Sequence, residues 1–251
     1  MIRDPAAAHL VHTLFETAAM AVGARYYWAL RRKVALPSAL EGSGFAVLFG
    51  CLMGAAIGNK MVFWLEVPQL WSAQLGIVGF FLGGQSMVGG LLGGLLGVEL
   101  AKRLVGHRDS TGDLFVFPVL LALMIGRVGC FLAGLNDGTF GLPTDLPWGV
   151  DFGDSIPRHP TQLYEIGFAV LLWLALSKVK DHWRKVPGLL WKAMLCAYLF
   201  WRLAVDGLKP VPFSYPLGLS GIQWVCIVAL AVYLPLLLRN LSALQHLSHK
   251  G

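Results

Sequence analysis

Long apolar runs alternate with short polar clusters along the whole chain, and the apolar runs fall into seven segments at about 9–30, 42–65, 76–101, 114–134, 160–177, 187–208 and 218–238. Each is near or above the roughly 20 residues a helix needs to cross the hydrocarbon core of a bilayer. The third is long and interrupted by glycines, which leaves room for a re-entrant or interfacial piece. The pattern predicts an all-α, polytopic membrane protein of about seven transmembrane helices. With no tandem repeat and no low-complexity tail, residues 1–251 read as a single transmembrane helical domain.

The polar clusters orient these spans. In a seven-span arrangement Arg31, Arg32, Lys33, Lys102, Arg103, Arg108, Lys178, Lys180, Arg184, Lys185, Arg239 and Lys250 all fall on one side, and the other side holds only Arg3, Arg158 and Lys209. Cytoplasmic loops carry the excess of Lys and Arg, so the N-terminus is expected outside and the C-terminus in the cytoplasm. The 136–159 segment, with Asp137, Asp145, Asp151 and Asp154, then becomes a polar loop on the outer face.

Composition agrees with a membrane protein. Of 251 residues 56% are hydrophobic and only 14% charged, with a mean hydropathy of +0.64, which excludes an ordinary soluble domain. The net charge of +6 resides in the inter-span clusters and not on one face or tail, so no nucleic-acid partner is implied. Cys51, Cys130, Cys196 and Cys226 lie in or beside apolar runs, with no CxxC pair and no His near them in sequence, and read as free thiols with no metal site. The first apolar run is long, carries Glu16 and Arg25 and lacks a small-residue cleavage site, so no cleavable signal peptide is expected. Gly50, Gly54 and Gly58, and Gly89, Gly93 and Gly97, repeat every fourth residue, the spacing that lets helix backbones approach closely in lipid.

Against this background the polar residues within spans require a reason. A charged side chain at a helix centre costs about 2.5–3.5 kcal/mol on insertion scales, so such residues face a bundle interior or a wet cavity. Arg25, Glu99 and Lys192 sit toward cytoplasmic ends and can snorkel. Arg202 and Asp206 are four residues apart and share a helix face, with Lys209 three further on. They read either as an internal ion pair or as an anion site shared with Arg127. Glu16, Lys60, Arg127, Glu165 and Arg202 supply three cations and two carboxylates from five spans, more than pairing between neighbours requires. His159, before Pro160, marks a helix start at the outer interface, where an anion is favoured and an imidazole can exchange protons.

These motifs resemble a known family. Gly126-Arg127-x-Gly129-Cys130-Phe131, then Gly138 and Gly141, then Arg158-His159-Pro160-Thr161-Gln162-Leu163-Tyr164-Glu165, are similar to the signature of the prolipoprotein diacylglyceryl transferases. Ser86–Gly93 and Asp113–Pro118 upstream, and Arg202-x-x-x-Asp206-x-x-Lys209 and Leu219-Ser220-Gly221-Ile222-Gln223 downstream, extend the likeness in order. The resemblance implies a transferase of the bacterial cytoplasmic (inner) membrane that moves a diacylglyceryl group from phosphatidylglycerol to the lipobox cysteine of a prolipoprotein. It implies no metal and no nucleotide cofactor.

By the same resemblance Arg127 and Arg202 hold the lipid phosphate, joined by Lys60, while His159, Gln162 and Glu165 shape the site. Asn136, Asp206 and Lys209 support it. Val88 stands where the family carries a His before paired glycines, Cys130 where an Asn is common, and Glu16 where the first span has a Tyr. Asp137 is the nearest match to the family's acidic residue after the GRxG motif, and Asp206 and Lys209 replace a Glu and an Arg. The base is then left to Glu16 or His159, with Asp137 and Glu165 as further acid–base candidates, and the acceptor is either the lipobox cysteine or another group. The alternatives from other classes are a non-catalytic lipid-binding or lipid-moving protein and, less favoured, a small-solute transporter.

Overall fold

The computed structural model describes residues 1–34, 40–71 and 83–248, and among them it contains seven α-helices. They are α1 (Pro5–Lys33), α2 (Gly42–Glu66), α3 (Met87–Val105), α4 (Val116–Ala133), α5 (Thr161–Trp183), α6 (Leu189–Val205) and α7 (Gly221–Ser248). The boundaries follow the apolar segments closely, apart from the third segment, whose first residues (76–82) lie outside the described residues, as does Lys250. The polar loop between α4 and α5 carries a hairpin of two short strands, β1 (Val150–Asp151) and β2 (Pro157–Arg158).

Among the described residues four stretches are long and apolar enough to cross a bilayer: Gly42–Glu66, Gly112–Asp137, Thr161–Trp183 and Gly221–Leu247. Their outward faces are greasy. Only 11% of the Gly42–Glu66 window and 22% of the Thr161–Trp183 window is buried in the protein, so their apolar side chains are left for lipid. The remaining helices have identifiable reasons for a weaker signal. Helix α1 carries His9, His12, Glu16 and Arg25, α3 ends in Glu99, Lys102 and Arg103, and α6 is 17 residues long and sheathed by protein. The chain is a polytopic all-α membrane protein.

The chain forms two compact units. One comprises residues 1–35, 110–210 and 233–251, the other 36–109 and 211–232, and α7 contributes to both. In the first, α6 is the core: Leu189, Leu190, Met194, Leu195, Tyr198 and Leu199 are each 1% exposed or less. Its N-terminus is capped from a distance. Asp113 accepts from Gly188 N (2.7 Å) and Trp191 N (3.0 Å), filling two backbone donors that the helix cannot satisfy internally. Helix α1 runs antiparallel to α4, with Tyr27 stacked on Phe115 at 4.1 Å between ring centroids and Ile2 N bonded to Leu132 O. Gly129 permits the close approach, because a Cβ there would lie 2.4 Å from Phe15 Cβ.

In the second unit the two glycine ladders interlock. A Cβ on Gly54 would lie 2.2 Å from Gly93 O, and one on Gly97 2.0 Å from Gly50 O, so α2 and α3 pack backbone to backbone. The LSGIQ stretch is a capping box: Gln223 N donates to Ser220 Oγ (3.1 Å) and Ser220 N to Gln223 Oε1 (2.9 Å). Glu66 accepts from Ile222 N at 2.9 Å beside it.

Candidate active site

The four cysteines are free thiols. No His is near them in sequence, yet His12 on α1 lies beside Cys130 on α4, because the antiparallel packing at Gly129 brings the two positions level.

Two arginines of the first unit converge on Glu165, which is 1% exposed. Arg127 Nε lies 2.8 Å from Glu165 Oε2, and Arg202 Nη1 lies 3.5 Å from the same oxygen. Tyr198 donates its hydroxyl to Oε1 at 2.8 Å. Arg202 Nη2 bonds Asp206 one turn on, the expected i, i+4 pair. Three helices thus deliver Arg127 (α4), Glu165 (α5) and Arg202 (α6) to one point. With Oε1 taken by a phenol and Oε2 shared by two guanidiniums, Glu165 is arranged to hold cations in place more than to accept a proton.

Donors remain. Arg202 Nε is buried with no hydrogen-bond acceptor among the described residues, a state that costs about 1–3 kcal/mol if left unfilled. Lys209 follows on the turn, its N–H bonded to Asp206 O. Burial, reinforced by the nearby Arg202 and Arg127 charges, pulls the Lys209 ammonium down to about 7.

The polar loop docks against the end of α6. Leu142 N bonds Leu208 O (2.8 Å), His159 N bonds Leu142 O (3.0 Å) and Gly141 N bonds His159 O (3.0 Å). Gly141 is obligatory there, since a Cβ would lie 2.5 Å from His159 Cβ. The His159 ring is held by Tyr164, with Nδ1 3.2 Å from its hydroxyl oxygen, and Trp148 Nε1 donates to that same oxygen at 2.8 Å. Arg158 pairs with Asp154 at 2.5 Å and lies over the Phe140 ring, pinning the hairpin. That guanidinium keeps the Asp154 carboxyl below its usual range.

Asp137 and Glu16 both face His12. Asp137 Oδ1 is 2.7 Å from Nδ1, and Glu16 Oε1 is 3.1 Å from Nε2. Asp137 is aimed by its turn, because Gly134 and Gly138 on either side adopt φ of +63° and +68°. Its other oxygen accepts from Thr139 Oγ1, and Gln162 Nε2 donates to that hydroxyl at 3.2 Å. Arg127 Nη1 reaches Cys130 Sγ at 3.7 Å, so this cluster adjoins the arginine pair.

The remaining candidates make contacts of their own. Asn136 clasps the N-terminal segment, donating to Ile2 O at 3.3 Å. Lys60 belongs to the second unit, where its ammonium donates to Gly83 O (2.6 Å) and Gly84 O (2.9 Å), beside Asn59 and Gln85. Val88 is 1% exposed and packed in that unit's core. His12, Thr139 and Tyr198 were not singled out from sequence. A His or Tyr in an apolar run reads as core, and only the i, i+4 spacing of His12 and Glu16 was a usable signal.

The fold and this buried, charge-compensated centre define a multi-pass membrane protein with an internal polar site. A family model for prolipoprotein diacylglyceryl transferase matches residues 11–239, and the chain belongs to that family of enzymes. The phosphatidylglycerol–prolipoprotein diacylglyceryl transferase of Polynucleobacter asymbioticus is 35% identical over 213 residues, covering 80% of this chain and 77% of the relative. The similarly named protein of Nitratidesulfovibrio vulgaris is 31% identical over 242 residues, 90% of this chain and 86% of its own length.

Proposed function

We propose that the protein transfers a diacylglyceryl group from phosphatidylglycerol to the thiol of a prolipoprotein cysteine, at the outer side of the bacterial inner membrane. The observation that carries this reading is the convergence of Arg127 and Arg202 on a single carboxylate, with a buried guanidinium donor left unfilled. A lipid phosphate supplies the acceptor that this donor lacks, and Lys209 adds a third cation on the same turn as Asp206.

In the reaction the acceptor sulfur forms a bond to the terminal glyceryl carbon of the diacylglyceryl group while the bond from that carbon to the phosphate oxygen breaks. Glycerol phosphate leaves with the bonding electrons, and the thiol proton passes to a base. Arg127 and Arg202 counter the charge that grows on the departing phosphate, the term that fixed donors stabilise most in a water-poor site. Glu165 and Tyr198 fix the guanidiniums so that no reorganisation is needed at that moment. A free thiol has a pKa of about 8.5, so proton removal requires help. His159 is the base in this reading: with Nδ1–H donating to Tyr164, its Nε2 lone pair is available. Asp137, fixed by Thr139, keeps the neighbouring His12 in place.

The test uses purified protein, phosphatidylglycerol and a lipobox peptide. Release of glycerol phosphate matched by a thioether on the peptide is the expected result. Release without peptide modification assigns another acceptor, and absence of both overturns the proposal.

A further inference from the structure

We propose that His12 Nδ1, Cys130 Sγ and Asp137 Oδ1 form a binding site for a thiophilic divalent cation of the Zn2+ type. One nitrogen, one sulfur and one carboxylate oxygen lie within 4.8 Å of one another, contributed by α1, α4 and the turn after α4. A tetrahedral zinc site with bonds of about 2.0–2.3 Å places its donors roughly 3.3–3.7 Å apart, so the 2.7 Å contact between His12 Nδ1 and Asp137 Oδ1 opens by under about 1 Å when the ion enters.

Three features favour a metal over a simple ion pair. His12 Nδ1 is buried and 2.7 Å from Asp137 Oδ1, yet the contact is off the hydrogen-bond axis of the ring. The opposite ring nitrogen faces Glu16 at 3.1 Å, the arrangement in which a carboxylate behind a ligating imidazole fixes its tautomer. Charge also favours a cation: the Asp137 and Glu16 carboxylates both face this cluster, and the nearby Arg127 is already paired with Glu165.

The donor set is also chemically selective. Thiolate with imidazole and one carboxylate suits Zn2+ and disfavours Mg2+ or Ca2+, which take oxygen donors. Three protein donors leave a fourth position open, as in zinc sites that bind a water or a substrate thiol. This site stands independently of the transfer reaction, because its occupancy is measurable without activity.

The experiment titrates Co2+, as a spectroscopic stand-in for Zn2+, into chelator-stripped full-length protein in detergent. One equivalent should bind with a sulfur-to-cobalt band in the near ultraviolet and visible bands of tetrahedral intensity. Cys130→Ser should abolish the near-ultraviolet band, and Cys51→Ser should leave it intact. His12→Ala and Asp137→Asn should each weaken binding at least tenfold, and Glu16→Gln about 10–100-fold. Because Cys130→Ser is a small change and Cys51→Ser tests only specificity, folding failure in one variant leaves the others decisive. No saturable binding, or a band that survives Cys130→Ser, would overturn the site. So would a doubly protonated His12 ring, seen by nitrogen NMR in excess metal, which would assign the cluster to an imidazolium held by two carboxylates.

Discussion

Replacing Glu165 with Gln keeps the shape of the side chain and removes only its charge. In the native protein that charge sits between Arg127 Nε at 2.8 Å and Arg202 Nη1 at 3.5 Å, in a site where Glu165 is 1% exposed. Removing one partner of a buried pair costs about 3–5 kcal/mol. Arg202 keeps Asp206, so the lower end, about 3 kcal/mol, is expected. At the 2–4 °C per kcal/mol typical of chains of about 150–250 residues, the melting temperature in neutral detergent should fall by roughly 6–12 °C. The informative part is the lipid dependence. A phosphate can supply the negative charge that the two guanidiniums have lost, so phosphatidylglycerol should raise the melting temperature of Glu165→Gln more than that of the parent protein, and a lipid without net charge should not. A melting temperature within about 1 °C of the parent, or equal rescue by both lipids, would refute the reasoning.

Other expectations follow from the same structure. Gly93→Leu should split α2 from α3, because even a Cβ at Gly93 would lie 2.2 Å from Gly54 O; loss of folded protein on size-exclusion chromatography checks this, and Gly126→Ala, where a Cβ meets nothing within 4 Å, is the matched control. Asp113→Ala removes the cap of α6 and should cost about 1 kcal/mol in thermal unfolding, or up to about 2 since two donors are orphaned. Lys209 deprotonates near 7 in the free protein, so affinity for phosphatidylglycerol should be highest below that pH and decline as pH rises through it. Lys209→Arg, which stays charged, should flatten that decline in a binding titration.

Much of this was legible in the sequence because lipid imposes simple rules. A segment that crosses a bilayer must satisfy its own backbone, so apolar runs such as 114–134 and 42–65 map almost directly onto α4 and α2. The glycine ladders announced a close contact, and buried arginines demanded anions, which is why Arg127, Glu165 and Arg202 were legible, together with Glu16 and Lys60, as one group of candidates. The His12 cluster was hidden for a physical reason. Cys130 and Asp137 are near in sequence, but His12 joins them only through the antiparallel docking of α1 at Gly129 and the left-handed turns at Gly134 and Gly138. Lys60 illustrates the opposite case. A lysine inside a span suggests an anion site, and sequence spacing does not reveal that two glycine carbonyls also receive its protons. Thr139, which links Asp137 to Gln162, gave no signal because a threonine in a polar loop is unremarked in composition.

The most direct test of the central claim is an experimental structure with phosphatidylglycerol bound. The expected result is a lipid phosphate whose oxygens lie within hydrogen-bond distance, about 3 Å, of both the Arg127 and Arg202 guanidiniums. A headgroup seated away from both, with their ion pairs to Glu165 undisturbed, would contradict it.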